Sequence, residues 1–173
     1  GESFAYFDLT GADLSGLDLR GSDFRQGWLE SADLSNAHLE GASFSDAVLA
    51  GADLSGAVMD YTSFRGANLG GARLTGIEAR GPVDLHGTNL SRADLSGSTF
   101  SGADLSRSDL TETTLSNAKL DRVAADELFF FKSDLRGITL AGARLRKTSF
   151  VESNVSEVDF SDAEMAGVSF VKC

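Results

Sequence analysis

The chain has 173 residues and a formal net charge of -11, with 15 Lys and Arg against 26 Asp and Glu. A protein this acidic is a poor direct partner for nucleic acids or anionic membranes, because its own field repels them. The single cysteine, Cys173, excludes an intrachain disulfide and a cysteine metal cluster, and no apolar run reaches the roughly 18 residues of a membrane span.

The acidity is concentrated near the start of the chain. Residues 1–70 contain three Arg and eleven acidic residues, a net charge of -8, whereas residues 71–173 contain 12 basic and 15 acidic residues, a net charge of -3. One cysteine is consistent with a reducing compartment, so we expect a cytoplasmic protein. The chain begins with Gly1 and not with Met, which is consistent with a trimmed N-terminus.

A five-residue repeat begins near the N-terminus and dominates the sequence. It reads ADLSG at residues 12–16 and again at residues 52–56. Its large central residue recurs at every fifth position from Phe4 to Ala79 (16 centres) and from Leu85 to Phe170 (18 centres), and 29 of the 34 centres are Leu or Phe. A period of five fits neither a helix nor a plain strand. It favours a chain that turns a corner every five residues, with one large and one small residue of each side pointing inward and turn-forming residues at the corners.

The phenylalanine spacing predicts the number of sides. Phenylalanine centres lie 20 residues apart at Phe4, Phe24, Phe44 and Phe64. Aromatic rings stack well when equivalent positions lie above one another in successive coils, so one coil contains four pentapeptides. The sequence therefore predicts an all-β fold, a four-sided parallel β-helix (solenoid) of about 8.5 coils and roughly 40 Å in length at about 4.8 Å per coil.

The register shifts by one residue in the middle of the chain. The centres Ala79 and Leu85 are six residues apart, and Pro82, the only proline, lies between them. Because proline cannot donate to a strand ladder, we expect a bulge or small loop within residues 80–84. Both a tolerated insertion and a functional kink are compatible with this position. The repeat continues on both sides, so a single domain is expected over residues 1–173.

A second irregularity keeps the register but changes the residue types. Ala125 is an undersized centre and Leu128 is an oversized residue at a small position, so we expect the two to compensate in volume. Phe129 and Phe131 flank the centre Phe130 and are therefore predicted to point outward.

An apolar strip is predicted on the outside of this side. Val151 and Val171 follow Phe131 by 20 and 40 residues and should stack beside it, which is typical of an interface or of a surface covered by a loop or terminal cap. Trp28 and Val48, one coil apart on the same side, form a weaker outward pair. The candidate protein interface comprises Phe129, Phe131, Val151, Val171, Trp28 and Val48.

These repeats resemble the pentapeptide-repeat family, whose motif is Ala, Asp or Asn, Leu and two variable residues. The resemblance covers residues 2–172 and implies a right-handed quadrilateral β-helix. The sequence contains no phosphate-binding loop, nucleophile elbow or zinc-ligand spacing. His38 and His86 are expected to be solvated on different coils without a fixed partner. We therefore expect no enzyme activity, no cofactor and no metal site.

Two functions remain open. The first is a non-catalytic bacterial scaffold for protein–protein interaction, alone or as a domain of a larger protein, with a partner of unknown identity. The repeat runs to both ends without polar caps, which favours self-association through the ends or through the Phe129 and Phe131 strip. The second is an acidic DNA mimic that binds DNA gyrase or topoisomerase and protects it from quinolones, as the resemblance implies for some members of the family. The net charge agrees with a DNA mimic, although an Asp-rich motif produces acidity in any case.

Overall fold

The computed structural model describes all 173 residues, which wind into a rod with 20 residues in each coil and one extra residue at a single register shift. Asp13 pairs with Asp33, and Asp33 pairs with Asp53, in parallel bridges between successive coils. The N–H of Leu14 donates to the carbonyl of Asp33 at 2.7 Å, and equivalent bonds recur along the chain. The fold is a right-handed, four-sided parallel β-helix, since connections between parallel strands are almost always right-handed. The fold predicted from the sequence is confirmed.

Most segments of the β-helix pair with the next coil through a single β-bridge. Three segments pair over three residues and form strands. These are β1 (Phe129–Phe131), β2 (Ser149–Val151) and β3 (Ser169–Val171), which form a parallel sheet in the order β1-β2-β3. None of the protein's segments forms an apolar helix of membrane-spanning length.

The large centre and the small residue two positions before it fill the interior. Leu34 and Ala32 are both fully buried, and 44 buried apolar residues form one core cluster. Phenylalanine centres stack in successive coils, and the rings of Phe24 and Phe44 lie 4.7 Å apart with an angle of 1° between them. Burying each Leu or Phe contributes about 1.5–3 kcal/mol, so this ladder of centres is the main stabilising element.

Every corner except the one at Gly81 is a tight turn whose third residue has a left-handed backbone. The carbonyl of Leu9 accepts the N–H of Ala12 at 3.0 Å across such a turn. Gly11, inside it, has a φ of 66°, and Asn36 takes the equivalent position with a φ of 57°. Side chains disfavour this conformation, and Gly and Asn tolerate it best, which explains their recurrence two residues after a centre.

The Asp or Asn before each centre stabilises the outer backbone. Oδ1 of Asp13 accepts the N–H of Ser15 at 3.1 Å, and Oδ1 of Asp53 accepts the N–H of Ser55 at 2.9 Å. A side-chain oxygen that accepts a backbone N–H two residues on is the Asx-turn arrangement. The motif therefore carries aspartate for structural reasons.

Inward hydroxyl groups are also satisfied by the backbone. Oγ1 of Thr113 donates to the carbonyl of Leu90 at 2.9 Å, and Oγ of Ser133 donates to the carbonyl of Leu110 at 2.6 Å. These bonds offset the cost of burying a polar group, so Ser and Thr can replace Ala at the small inward position.

The register shift lies between the fourth and fifth coils. Asp53 pairs with Arg73, 20 residues on, whereas Ser63 pairs with Asp84, 21 residues on. The extra residue is accommodated in the segment that contains the exposed Pro82.

Candidate protein-contact face

All six candidate interface residues lie on one side of the rod. The outward residues of this side form two columns that run along the rod. The first contains the residue before each centre, which forms the parallel bridges, and the second contains the residue after each centre. We call this side the Phe129 face. From the second to the ninth coil it presents Trp28, Glu30, Val48, Ala50, Asn68, Gly70, Asn89, Ser91, Asp109, Thr111, Phe129, Phe131, Ser149, Val151, Ser169 and Val171.

One end of the face is an apolar patch on β1, β2 and β3. The C-terminal patch comprises Phe129, Phe131, Val151 and Val171, of which Phe129 is 47% exposed and Val171 is 46% exposed. Phe131, Val151 and Val171 are consecutive partners in the parallel sheet. The rings of Phe129 and Phe131 are nearly parallel, with centroids 6.1 Å apart, and the ammonium of Lys132 lies 5.1 Å from the Phe131 ring centroid. These contacts order the patch but leave much of it in solvent.

The other end of the face is a smaller apolar patch. The N-terminal patch comprises Trp28, which is 47% exposed, and Val48, which is half-buried. The two residues are bridge partners in adjacent coils. Like the C-terminal patch, this pair occupies outward positions that are polar in most repeats.

The middle of the face is polar, but its side chains bond to one another. Oδ1 of Asn68 accepts the N–H of Gly70 at 3.1 Å and the Nδ2 amide of Asn89 at 2.9 Å. Oδ1 of Asn89 accepts the N–H and the Oγ hydroxyl of Ser91 at 2.9 and 2.7 Å. Covering groups that already have partners costs less than covering unpaired ones.

The Phe129 face also differs from the other three sides in charge. From the second coil onward its outward positions carry only Glu30 and Asp109, in a molecule whose net charge is -11. The other sides carry carboxylates and guanidinium groups in ion pairs, as between Arg144 and Asp126 at 2.6 Å. Such exposed pairs add little stability but hold water strongly. The Phe129 face is therefore the side that loses least on desolvation.

The two histidines lie on other sides and have acidic neighbours. Nδ1 of His86 lies 3.6 Å from Oδ2 of Asp104, and Nδ1 of His38 lies 3.7 Å from Oε1 of Glu40. Neither distance is that of a hydrogen bond, so each carboxylate is a neighbour and not a fixed partner. These contacts arise because outward residues meet diagonal neighbours in the next coil and residues two apart on one side. No group of three or more His, Cys, Asp or Glu is arranged to hold a metal ion.

Two aspartates have strongly lowered pKa values. The guanidinium of Arg20, followed by its backbone N–H, lowers the pKa of Asp18 to about 2. Arg25 acts in the same way on Asp23 and lowers its pKa to about 2. Both carboxylates stay ionised near neutral pH and are engaged in ion pairs.

A family model of pentapeptide repeats matches residues 7–26, 28–60, 37–76, 83–123 and 130–173, with eight copies. Among solved structures, a trypsin-treated form of QnrB1, a plasmid-mediated fluoroquinolone resistance protein, has a TM-score of 0.74 and 16% identity over 98% of this chain and 89% of that chain. HetL, a pentapeptide repeat protein involved in heterocyst differentiation regulation from the cyanobacterium Nostoc sp. strain PCC 7120, is 28% identical over 96% of this chain and 88% of that chain, with a TM-score of 0.34. A pentapeptide repeat protein from the Arabidopsis thaliana thylakoid lumen is 33% identical over 68% of this chain and 70% of that chain, with a TM-score of 0.32. No curated protein sequence matches the chain.

Proposed function

The chain belongs to the pentapeptide-repeat family, and on that premise we propose that it is a non-catalytic scaffold that binds a protein partner through the Phe129 face. Solenoids of this kind present long, rigid surfaces because each coil contacts only its neighbours. The face runs the length of the rod and is built on hydrogen-bonded coils.

The observation that carries this proposal is the pairing of exposed apolar residues with a low density of charge on one side. Phe129 and Trp28 are each 47% exposed, and only Glu30 and Asp109 are charged on the face from the second coil onward. The centres of protein interfaces are depleted in charge and enriched in aromatic residues. Exposed apolar strips flanked by polar residues mark interaction sites.

The test compares matched surface variants. The full chain is immobilised and exposed to a bacterial extract in three forms: wild type, Phe129→Ser with Phe131→Ser, and Val58→Ser. Val58 is a half-buried outward valine on another side of the rod and serves as the control. We expect the double variant to lose a set of bound proteins that the control retains. Equal capture by all three folded proteins would contradict the proposal.

A second candidate, a DNA mimic that binds DNA gyrase, is supported by the acidic first coils. Asp13, Asp33 and Asp53 stack as bridge partners at about 4.8 Å intervals, and residues 1–70 have a net charge of -8. A rigid rod with regularly spaced carboxylates offers a surface to a protein that grips a duplex by its phosphates. QnrB1, which shares the fold, is a fluoroquinolone resistance protein.

The mimic is tested in a gyrase supercoiling assay with a quinolone. If the mimic is correct, micromolar wild-type protein restores supercoiling, and Asp13→Lys with Asp33→Lys abolishes that effect. Asp94→Lys with Asp134→Lys is the matched control, since both residues lie on the same side in later coils. Absence of protection by the wild type would exclude this candidate and leave the scaffold proposal standing.

A further inference from the structure

We propose that the Phe129 face binds a second copy of this chain, in an antiparallel two-fold dimer whose axis crosses the face at Asn89. This inference rests on the proposed function, because it takes the same face as the contact surface and names its partner. Three features support it: the spacing of the two apolar patches, the charge of the rod and the area of the face.

The two patches lie on opposite sides of Asn89 at matching distances. In the column of bridge partners, Val48 lies two coils before Asn89, and Phe129 lies two coils after it. The proposed two-fold axis lies in the interface, perpendicular to the long axes of both rods. It places each coil before Asn89 opposite the coil at the same distance after Asn89 in the other copy, and each residue faces its own column. Val48 of one copy then faces Phe129 of the other, and symmetry repeats the contact at the far end. Ala50 faces Phe131 in the same way, whereas Trp28 faces Ser149 and Glu30 faces Val151.

The polar middle of the face fits the same arrangement. Asn68 lies one coil before Asn89, and Asp109 lies one coil after it, so the two residues face each other across the dimer. The Asn68 oxygen already accepts hydrogen bonds from Gly70 and Asn89, which leaves its amide group to donate to the Asp109 carboxylate. Neither copy of Asp109 faces the other, so no ionised pair of like charge is buried in the centre.

The charge distribution favours antiparallel over parallel rods. Residues 1–70 carry a net charge of -8 and residues 71–173 carry -3. Parallel packing would place the two strongly acidic segments side by side, whereas antiparallel packing places each beside the weakly acidic segment of its partner. Repulsion between whole rods is therefore lower in the antiparallel dimer, and it falls further as salt screens it.

The area of the face sets the expected strength. Each side is three residues wide, two outward residues and the inward centre between them, and spans about 10 Å. Eight coils at about 4.8 Å span about 40 Å, which gives a footprint of about 400 Å² for each copy. Side-chain relief enlarges the accessible area, so the dimer would bury on the order of 1,000 Å² in total, the lower end of specific interfaces. We expect a dimer whose population depends on concentration, with a dissociation constant in the micromolar range.

A charge-swap experiment tests the proposed contact. Sedimentation equilibrium of the purified full chain should show a dimer, and Phe129→Glu or Val48→Lys alone should weaken it by about tenfold or more. An equimolar mixture of the two variants should recover dimerisation, because the introduced lysine and the introduced glutamate would then face each other at one end and the wild-type residues at the other. Val58→Lys, on another side, is the control and should dimerise normally. A monomeric wild type, or a mixture no better than its components, would overturn the dimer.

Cysteine cross-linking gives an independent measurement of the axis. In a Cys173→Ser background, Asn89→Cys should form a disulfide-linked dimer on mild oxidation, since the residue faces its own copy. Thr99→Cys, in the same coil on another side, should not. If the purified protein stays monomeric and uncrosslinked while extract proteins still bind through Phe129 and Phe131, the dimer is wrong and the scaffold function survives. If neither occurs, both are wrong.

Discussion

The carboxylate of Asp60 caps the backbone of Arg80 in the neighbouring coil, with Oδ1 accepting the Arg80 N–H at 2.6 Å. The same oxygen accepts the N–H of Gly81 at 3.0 Å. These two N–H groups lie at the register shift, where the regular coil-to-coil ladder is interrupted. One side chain therefore supplies hydrogen bonds to the backbone where the extra residue interrupts the ladder.

Replacing Asp60 by Ala should lower the free energy of unfolding by about 1 kcal/mol or more, since two charge-assisted hydrogen bonds are lost at a partly exposed site. Hydrogen exchange of the Arg80 and Gly81 amides should accelerate more than exchange in distant coils. Asp121→Ala is the matched control, because Asp121 occupies the same outward column. Equal effects of the two substitutions on stability and on exchange would show that Asp60 does not hold the bulge.

The phenylalanine stack should dominate the stability of the first coils. Phe44 is fully buried, and its ring centroid lies 4.7 Å from that of Phe24 and 5.0 Å from that of Phe64. Phe44→Ala should lower the unfolding free energy by about 3–5 kcal/mol, the usual cost of a large cavity. Phe129→Ala, at an exposed ring, should cost about 0.5 kcal/mol or less. Urea denaturation of both variants measures the difference, and similar costs would place Phe129 in the core.

The ion pair of Asp18 and Arg20 should give stability a defined acid dependence. The folded pKa of Asp18 is about 2, below the roughly 3.9 expected for an unfolded aspartate. A depressed folded pKa stabilises the fold above the unfolded value, and that contribution is lost as the pH falls from about 4 to about 2.

Arg20→Gln should therefore raise the pKa of Asp18 but leave it below the ordinary value, because the backbone N–H of residue 20 still donates to the carboxylate. Carboxyl carbon shifts measured by NMR across acid pH would follow the change. Asp23, which pairs with Arg25, should keep its pKa of about 2 in the same sample and serves as an internal control. An unchanged Asp18 titration would show that the guanidinium is not its main partner.

The repeat made the fold predictable to an unusual degree. Every fifth large residue is a local signal, and the 20-residue spacing of Phe4, Phe24, Phe44 and Phe64 converts it into a four-sided coil. The outward position of Phe129 follows from alternation along a strand. When the repeat period is strict, a single sequence can therefore reveal which residues stack in successive coils.

Side-chain contacts on the outer surface were less predictable. The proximity of His86 to Asp104 depends on diagonal neighbours in adjacent coils and on rotamers, neither of which the period specifies. The mutual shielding of Phe129 and Phe131 likewise depends on ring orientation. The low charge of the whole Phe129 face becomes visible only when the columns on all four sides are compared.

Ala125 and Leu128 have side-chain volumes that are the reverse of those usual at their positions. Ala125 occupies a centre that is usually Leu or Phe, and Leu128 occupies a small inward position, yet each is only 1% exposed. If the two side chains fill one space, Leu128→Ala alone should cost about 2–5 kcal/mol through a cavity, and Ala125→Leu alone about 1–3 kcal/mol through overpacking. The double variant should be more stable than the sum of the two costs implies, by about 1 kcal/mol or more, because each change relieves the strain or void of the other. Urea denaturation of the wild type, the two single variants and the double variant measures these free energies. Strictly additive costs would show that Ala125 and Leu128 pack independently and that each break in the repeat is tolerated by its own surroundings.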